Sequence, residues 1–504
     1  MKKRILACLL AAMMTMPVLV GCGNTEEAAE TTADTAGTVE TEPVETEPEL
    51  QSGIPAGTSF GGETVSIWYT TKSISVAETY LDLAGENSGE TLDDAMYYRN
   101  IEVEDLLDVK LNYFDAQVTT DQTGATLEKL VMAGDTTYDM FSLIQWNAAK
   151  YAYQNMYYNM KDAPYVSFDA PWWNYDYMKE MTIGEDKVYC LVGDVHVDST
   201  RCMNCVYYNK ALYEDYYDDG DAMYDVVLEG KWTFDKLQEY AGEVWMDLNG
   251  DNVADINDQL GYSLNDYNNV DGILYACGVR ATTRDENDIP VLALMTERGV
   301  DALKKTYDVF FNTVGGKGMG LLEYSTSEYE EDVLFRDKFG EGSTMFYFGF
   351  FYSAESLRDM DDAYGIIPYP KLDEAQDNYY SIAHDIISIM CLPVNCVKVE
   401  AASAVLEALA FIGYQDVLPA YYESLLKAKY VRDAKSAQMI ELIRENFITD
   451  IAYVYGDAFN QIGYACRQMI AAKKDNLQAW YESREKAAQT AMKKLIEQFE
   501  SVEN

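Results

Sequence analysis

The stretch ETVSIWYT, residues 63–70, sets the reading of the fold. Val65, Ile67 and Tyr69 recur at period two, the repeat of a strand with one face toward a core. Moving outward toward the C-terminus, residues 92–108 (LDDAMYYRNIEVEDLLD) place Met96, Val103, Leu106 and Leu107 at helical spacing, and VKLNYF (109–114) alternates again. Residues 124–133 carry Leu127, Leu130 and Val131, with Gly134 where such a helix stops. YDMFSLI (138–144) reads as a third strand and WNAAKYAYQNMYYNMKD (146–162) as a third helix. Three strand–helix alternations predict an α/β layer around a mainly parallel, doubly wound sheet.

Beyond it, APWWNYDYM (170–178) breaks the pattern with a proline and two tryptophans, and DKVYCLVGDV (186–195) reads as another strand. A second section opens with VYYNKALYEDYY (206–217) and KWTFDKLQEYAGEVW (231–245). In the latter, Phe234, Leu237, Ala241, Val244 and Trp245 share one helix face. Residues 299–313, 400–413, 434–447 and 476–500 are further helices, the last striped by Trp480, Ala487, Ala491, Leu495 and Phe499. No internal repeat is evident, and no stretch after the N-terminus is expected to cross a membrane.

In the other direction, Lys2, Lys3 and Arg4 precede the apolar run ILACLLAAMMTMPVLV (5–20), the pattern of a secretory signal. Its ending, Leu19-Val20-Gly21-Cys22, resembles the bacterial lipobox, which implies removal of residues 1–21 and acylation of Cys22. The alternative is an ordinary secretion signal in which Cys22 is incidental. Residues 22–60 are rich in Thr, Glu, Ala and Pro and hold almost no large apolar side chain. They read as a disordered acidic tether whose charges keep it extended.

The formal net charge is −47, from 85 acidic and 38 basic residues. Without basic clusters such a chain is a poor match for nucleic acid, and anionic lipid repels it. The roughly 440 residues after the tether exceed one hydrophobic core, so two lobes are expected. Of nine cysteines, Cys8 lies in the signal and Cys22 in the lipobox, which leaves seven at irregular spacing and no disulfide framework. Cys202 and Cys205 form a CxxC, readable as a redox pair, half of a zinc site or two buried thiols. With only His196 and His384 as histidines, zinc lacks ligands, and no redox or nucleotide cofactor is expected.

DLNGDNVADIND (247–258) puts Asp247, Asn249, Asp251, Asp255 and Asp258 at positions 1, 3, 5, 9 and 12 of a calcium-type loop. The Val253 carbonyl would serve position 7, and Asn252 stands at position 6, where a positive φ is needed. The expectation is one structural calcium ion; the alternative is a polar surface turn. The loop resembles those of dockerins and of some sugar receptors.

Several stretches together resemble extracellular solute-binding protein family 1, the receptor lipoproteins of ABC-type sugar importers. They are the lipobox, WTFDKLQEYA, DLNGDNVADIND leading into DQLGYS, and YGIIPYPKLDEAQDNYYS; APWWN followed by TIGEDKVYCLVGD points to a gut-Firmicute branch. VYYNKALYE is similar to the strand-to-helix entry after the hinge in maltose-binding protein. The resemblance implies a type II periplasmic-binding-protein-like fold: two α/β lobes joined by crossing hinge strands and closing on a ligand. On this reading 61–193 form the first lobe, 194–366 the second, 367–415 return to the first, and 416–504 complete the second with helices. Crossings are expected at Gly193-Asp194 and Tyr364-Gly365.

Doubly wound sheets bind ligands beyond the carboxyl ends of their strands. Gln145 and Trp146 follow the third strand, and Trp68, Tyr69 and Thr70 end the first. Sugars need flat aromatic faces together with carboxylates for adjacent hydroxyls. The candidate ligand contacts are Trp146, Trp68 or Tyr69, Asp194, Tyr347, Phe351 and Asp385, with Trp172 and Trp173 read as lobe packing and His384 as a satisfied polar residue. One departure is STMFYFGFF (343–351): relatives often have a Gly-Pro-Trp turn there, and Gly349-Phe350-Phe351 stands instead. The function implied is capture of a sugar, in oligosaccharide form, by a lipid-anchored monomer that delivers it to permease subunits. The alternatives are a surface glycoside hydrolase and a calcium-dependent sensory or adhesion lipoprotein.

Overall fold

The computed structural model describes residues 50–72, 83–217, 219–319, 328–427, 434–474 and 476–502. The signal segment, Cys22 and the tether up to residue 49 lie outside the described residues. The strands are β1 (Glu63–Tyr69), β2 (Val109–Asp115), β3 (Met140–Ile144), β4 (Asn204–Asn209), β5 (Leu260–Asn265), β6 (Thr282–Arg284), β7 (Pro290–Leu292), β8 (Gly316–Met319), β9 (Thr344–Phe350), β10 (Tyr364–Ile367) and β11 (Ser388–Cys391). The helices used below are α1 (Thr91–Leu107), α2 (Thr120–Met132), α3 (Gln145–Ala152), α4 (Phe234–Val244), α5 (Asn268–Ala276), α6 (Val399–Ile412), α7 (Ala434–Glu445), α8 (Ala465–Ala472) and α9 (Leu477–Ser501).

The first sheet runs β11-β3-β1-β2, with β1 parallel to β2 and β3, and β11 antiparallel to β3. Val65 to Tyr69 are all buried, because a central parallel strand is covered on both faces. α1 ends at Asp108 in the left-handed conformation, which turns the chain directly into β2. α2 opens with a capping box of Thr119 and Gln122. The third helix stops at Ala152 rather than near residue 162, since Asn155 adopts φ +56° and turns the chain.

The second sheet runs β10-β4-β9-β5-β8, with β5 parallel to β8 and β9, and β4 antiparallel to both β9 and β10. Thr233 caps α4 by accepting from the Lys236 amide at 3.2 Å.

Three segments link the sheets. Residues 191–204 leave the first sheet, 381–391 return to it, and 446–448 run beside the returning chain. Leu191 bridges Met390, Met203 bridges Ala383, and Ser381 bridges Phe447. Of residues 186–195, only 187–193 lie between turns, and they are joined by isolated bridges at Leu191 and Gly193 rather than by a strand ladder. Gly193-Asp194 lies in the outgoing crossing, as expected. Gly413, where α6 passes into the π-helical stretch Gly413–Val417, presses on it: a Cβ there would lie 2.0 Å from the Asp194 carbonyl oxygen.

Tyr364-Gly365 is not a crossing. It belongs to edge strand β10, and the chain stays on the second sheet's side through Gln376, whose Nε2 donates to the Ala276 carbonyl at 2.7 Å. The return falls at 381–391, where edge pairing gives way to bonds with the outgoing segment. Residues 416–504 also serve both lobes rather than the second alone. α7 lies against β10, whereas Phe499 of α9 packs its ring on Tyr153 and Tyr189 of the first lobe, 6.0 and 6.4 Å between centroids.

The folded unit begins at Gly53 rather than residue 61. The Gly53 amide donates to Glu407 at 3.1 Å, and Ile54 and Phe60 pack on the core, so apolar contact ends the tether early. Residues 399–425 are long and apolar enough to cross a membrane, against the sequence expectation, yet Ala401 to Ala410 are all buried in the protein. This is a core helix.

Candidate functional site

The carboxyl ends of β3, β5 and β9 converge on the returning segment, residues 382–387. After β3, the Gln145 amide donates to the Ile387 carbonyl at 2.9 Å. The Gln145 side chain is buried, its Oε1 accepts from the Tyr177 hydroxyl, and its Nε2 has no partner. Trp146 follows at the first turn of α3 with 43% of its surface exposed. At the end of β9, the Phe350 ring stacks on Tyr352 and lies 5.2 Å from the His384 ring.

After β5, Asn265 Oδ1 accepts from the Asn269 amide at 3.0 Å and the Tyr267 amide at 3.2 Å, and α5 starts there. Arg467 of α8 reaches this end. Its Nη2 donates to Asp271 Oδ2 and, at 3.3 Å, to Asn268 Oδ1. The guanidinium lies 3.4 Å from the Tyr267 ring centroid and 4.7 Å from that of Tyr464. Tyr464 donates its hydroxyl to Asp385 Oδ2 at 3.0 Å, and His384 Nε2 stands 3.6 Å from Asp385 Oδ1. A polar and aromatic network thus runs from β3 of the first lobe, across the returning segment, to β5 of the second.

Burial raises the Asp271 carboxyl to about 7 against the pull of Arg467, with Asp385 adding repulsion. Burial also opposes charge on Arg467, but Asp271 and Asp385 outweigh it and hold the guanidinium protonated. His384 is pushed down to about 4, chiefly by burial, so its imidazole is neutral near pH 7, and its buried Nδ1 has no partner. Asp271 Oδ1, Arg467 Nε and Asn269 Nδ2 are likewise buried without partners. Such atoms cost free energy unless a hydroxyl or amide meets them. The arrangement suits recognition of a polar, uncharged molecule.

The sequence candidates divide. Asp385 is part of this network, and Trp146 follows Gln145 in the chain at its first-lobe end. Trp68 and Tyr69 are core residues: Trp68 packs edge-on to Phe141 at 6.1 Å and Tyr69 to Tyr113 at 6.5 Å, since helices cover both faces of β1. Tyr347 and Phe351 are fully buried with Tyr207 and Phe339 on the second sheet's other face, so neither is presented to a ligand. Asp194 is buried in an ion pair with Arg444 at 3.2 Å, and burial raises its carboxyl to about 6. It ties the outgoing crossing to α7. Arg467, Asp271, Tyr267 and Tyr464 escaped the sequence reading. Asp271 and Arg467 are 196 residues apart, and the only local signal was an arginine inside the apolar helix ACRQMIAA.

In the loop 247–258, Asn252 has φ +61°, as position 6 requires. The donors are turned to the loop's own amides: Asp247 accepts from Gly250 and Asn252, Asn249 from Asp251, and Asp251 from Val253. Asp258 is buried, accepting from the Leu248 amide and the Trp245 indole. The backbone fits calcium, but among the described residues no three His, Cys, Asp or Glu side chains gather as a metal group. Cys202 and Cys205 are buried free thiols that belong to different apolar clusters. A cavity of about 300 Å³ lined by Tyr175, Lys179, Lys187 and Asp288 shares no residue with the network, and its lysines are already bonded, Lys179 to Asp176 and Lys187 to the Phe499 carbonyl.

No family model matches the sequence, and no curated protein matches it. Solved structures do match in fold. The cyclo/maltodextrin-binding protein complexed with maltotetraose aligns with a TM-score of 0.54 at 12% identity, over 89% of this chain and 99% of that one. The maltose-binding periplasmic protein from Listeria monocytogenes, in complex with maltose, aligns with 0.52 at 12% identity, over 87% and 97%. The GacH receptor of Streptomyces glaucescens, solved unliganded and with acarbose, aligns with 0.50 at 12% identity, over 88% and 100%. The chain has the two-lobed α/β fold of the maltose-binding-protein kind.

Proposed function

We propose that the chain is an extracellular receptor that captures a carbohydrate, as an oligosaccharide, between its lobes and delivers it unaltered to an ABC-type permease. One observation carries the reading: the carboxyl ends of strands from both sheets meet at a network of aromatic faces and unpartnered buried polar atoms. Aromatic rings supply flat area with few rotamers to freeze, and the polar atoms supply hydroxyl partners. Support comes from fold neighbours solved with maltotetraose, maltose and acarbose. Binding would draw the lobes together, because a ligand touching both stabilises the closed arrangement.

A hydrolase needs two carboxylates set across the scissile bond. Asp271 and Asp385 are instead committed to Arg467 and Tyr464, which favours binding without chemistry. The proposal includes acylation at Cys22, attachment to the membrane's outer face, a monomeric state and one structural calcium at Asp247–Asp258, whose carboxylates would turn inward to meet the ion.

The test is a thermal-shift screen of mono- and oligosaccharides, polyols and peptides, followed by calorimetry on the hits. An oligosaccharide should bind, and Trp146→Ala should weaken it at least tenfold while leaving the melting temperature of the free protein unchanged, because that ring is exposed. Binding of peptides alone would reject the carbohydrate; release of shortened sugar would reject the receptor.

A further inference from the structure

Cys190 and Cys391 face each other where the chain leaves the first sheet and where it returns. Leu191 and Met390 exchange both backbone hydrogen bonds, at 2.8 and 3.0 Å. The next pair along, Cys190 and Cys391, is therefore a non-hydrogen-bonded antiparallel pair, the type whose Cα atoms approach to about 4.5 Å with side chains on one face. That separation lies within the span of about 4.4–6.8 Å that a disulfide bridges. The Sγ atoms are already 3.7 Å apart, and both residues are buried.

We propose that Cys190 and Cys391 are a disulfide site, closed as the chain folds in an oxidising medium. Both S–H bonds break and one Sγ–Sγ bond forms. The two protons and two electrons pass to a small disulfide oxidant of the glutathione type, whose own S–S bond breaks and which leaves as two thiols. The bond would staple the strand before the outgoing crossing to β11 after the return, closing a loop that holds the second sheet between residues 201 positions apart. Both ends belong to the first lobe, so the staple fixes the base of the hinge and leaves the second lobe free to swing. Burial, with Cys190 as neighbour, pushes the Cys391 thiol well above its usual range. The Cys391 thiolate is scarce in the folded chain, and exchange belongs to the folding stage, before the pair is enclosed.

The full chain is unfolded under reducing conditions, refolded in a mixture of reduced and oxidised glutathione, alkylated and digested. The expected product is one cross-link between the peptides holding Cys190 and Cys391, with a melting temperature several degrees above that of protein kept reduced. Cys391→Ser should abolish both the cross-link and the difference, and Cys202→Ser should preserve both. If Cys391→Ser does not fold, Cys190→Ala serves the same purpose. Recovery of both peptides as free thiols, or a cross-link to any other cysteine, overturns the assignment. So does an oxidised protein that melts where the reduced one does.

Discussion

Glu407 shows how one side chain organises a distant segment. It is fully buried on α6 and accepts from the Gly53 amide at 3.1 Å, the Ser167 amide at 3.1 Å and the Trp173 indole at 2.8 Å. Glu407→Ala strands the buried Trp173 indole and leaves two part-buried amides without their acceptor; it should cost about 1–3 kcal/mol by denaturant titration, with Glu407→Gln losing less because its amide oxygen still accepts. His196 is the second telling residue, buried in the outgoing crossing with its Nε2 3.0 Å from Ser142 Oγ. Burial, with Arg99 adding repulsion, lowers it from 6.5 to about 3. A lowered folded value means its contribution is complete above about pH 6.5 and drains away as pH falls toward 3. Asp194 and Asp271 are raised and act with the opposite sign over overlapping ranges, so the difference between variants is the clean readout. The stability deficit of His196→Gln relative to the parent should shrink by about 3 kcal/mol between pH 7 and pH 4. An unchanged deficit would show that His196 titrates alike in both states.

At the scale of elements, local pattern was a good guide wherever one face of a segment is buried. β1, α1, β2, α2 and β3 all lie within a few residues of their expected places, because periods of 2 and 3.6 report which side chains meet a core. The exceptions have specific causes: α3 is cut short by the turn at Asn155, and residues 187–193 have isolated bridges instead of a continuous partner strand. The loop 247–258 is the element whose chemistry is most exposed to test. Its backbone is held by Asx-type bonds and the left-handed Asn252. Millimolar calcium should raise the melting temperature over that in chelator, and Asp251→Ala should remove most of the rise. Identical melting in calcium and chelator would leave it a polar turn.

On the scale of the molecule, the arrangement predicts a domain movement. The two sheets are joined by three segments that share bridges near residues 191–204, 381–391 and 446–448. One hinge region of that kind permits rotation with little loss of core. Scattering on the free protein and on its complex with a confirmed oligosaccharide should show a smaller radius of gyration in the complex. Arg467→Ala should weaken binding and the contraction together, since its guanidinium holds Asp271 and packs against Tyr267 and Tyr464 across the second-lobe end of the network. A radius that never changes on binding would exclude a closing clamp.

Sequence alone determined the strand and helix order of the first sheet, the outgoing crossing at Gly193-Asp194 and the left-handed turn at Asn252. Each depends on residues close together in the chain, where periodicity and backbone sterics act directly. Only the tertiary structure decided which polar groups share a site. Gln145, Asp271, Asp385 and Arg467 come from four separate segments, and packing rather than spacing brings them together. The same holds for Trp68, Tyr347 and Phe351, aromatic residues in or directly after apolar strands whose composition is the same whether a face meets a ligand or a core. Cys190 and Cys391 are neighbours because two antiparallel segments fall into one register, and that register is a property of the folded pair.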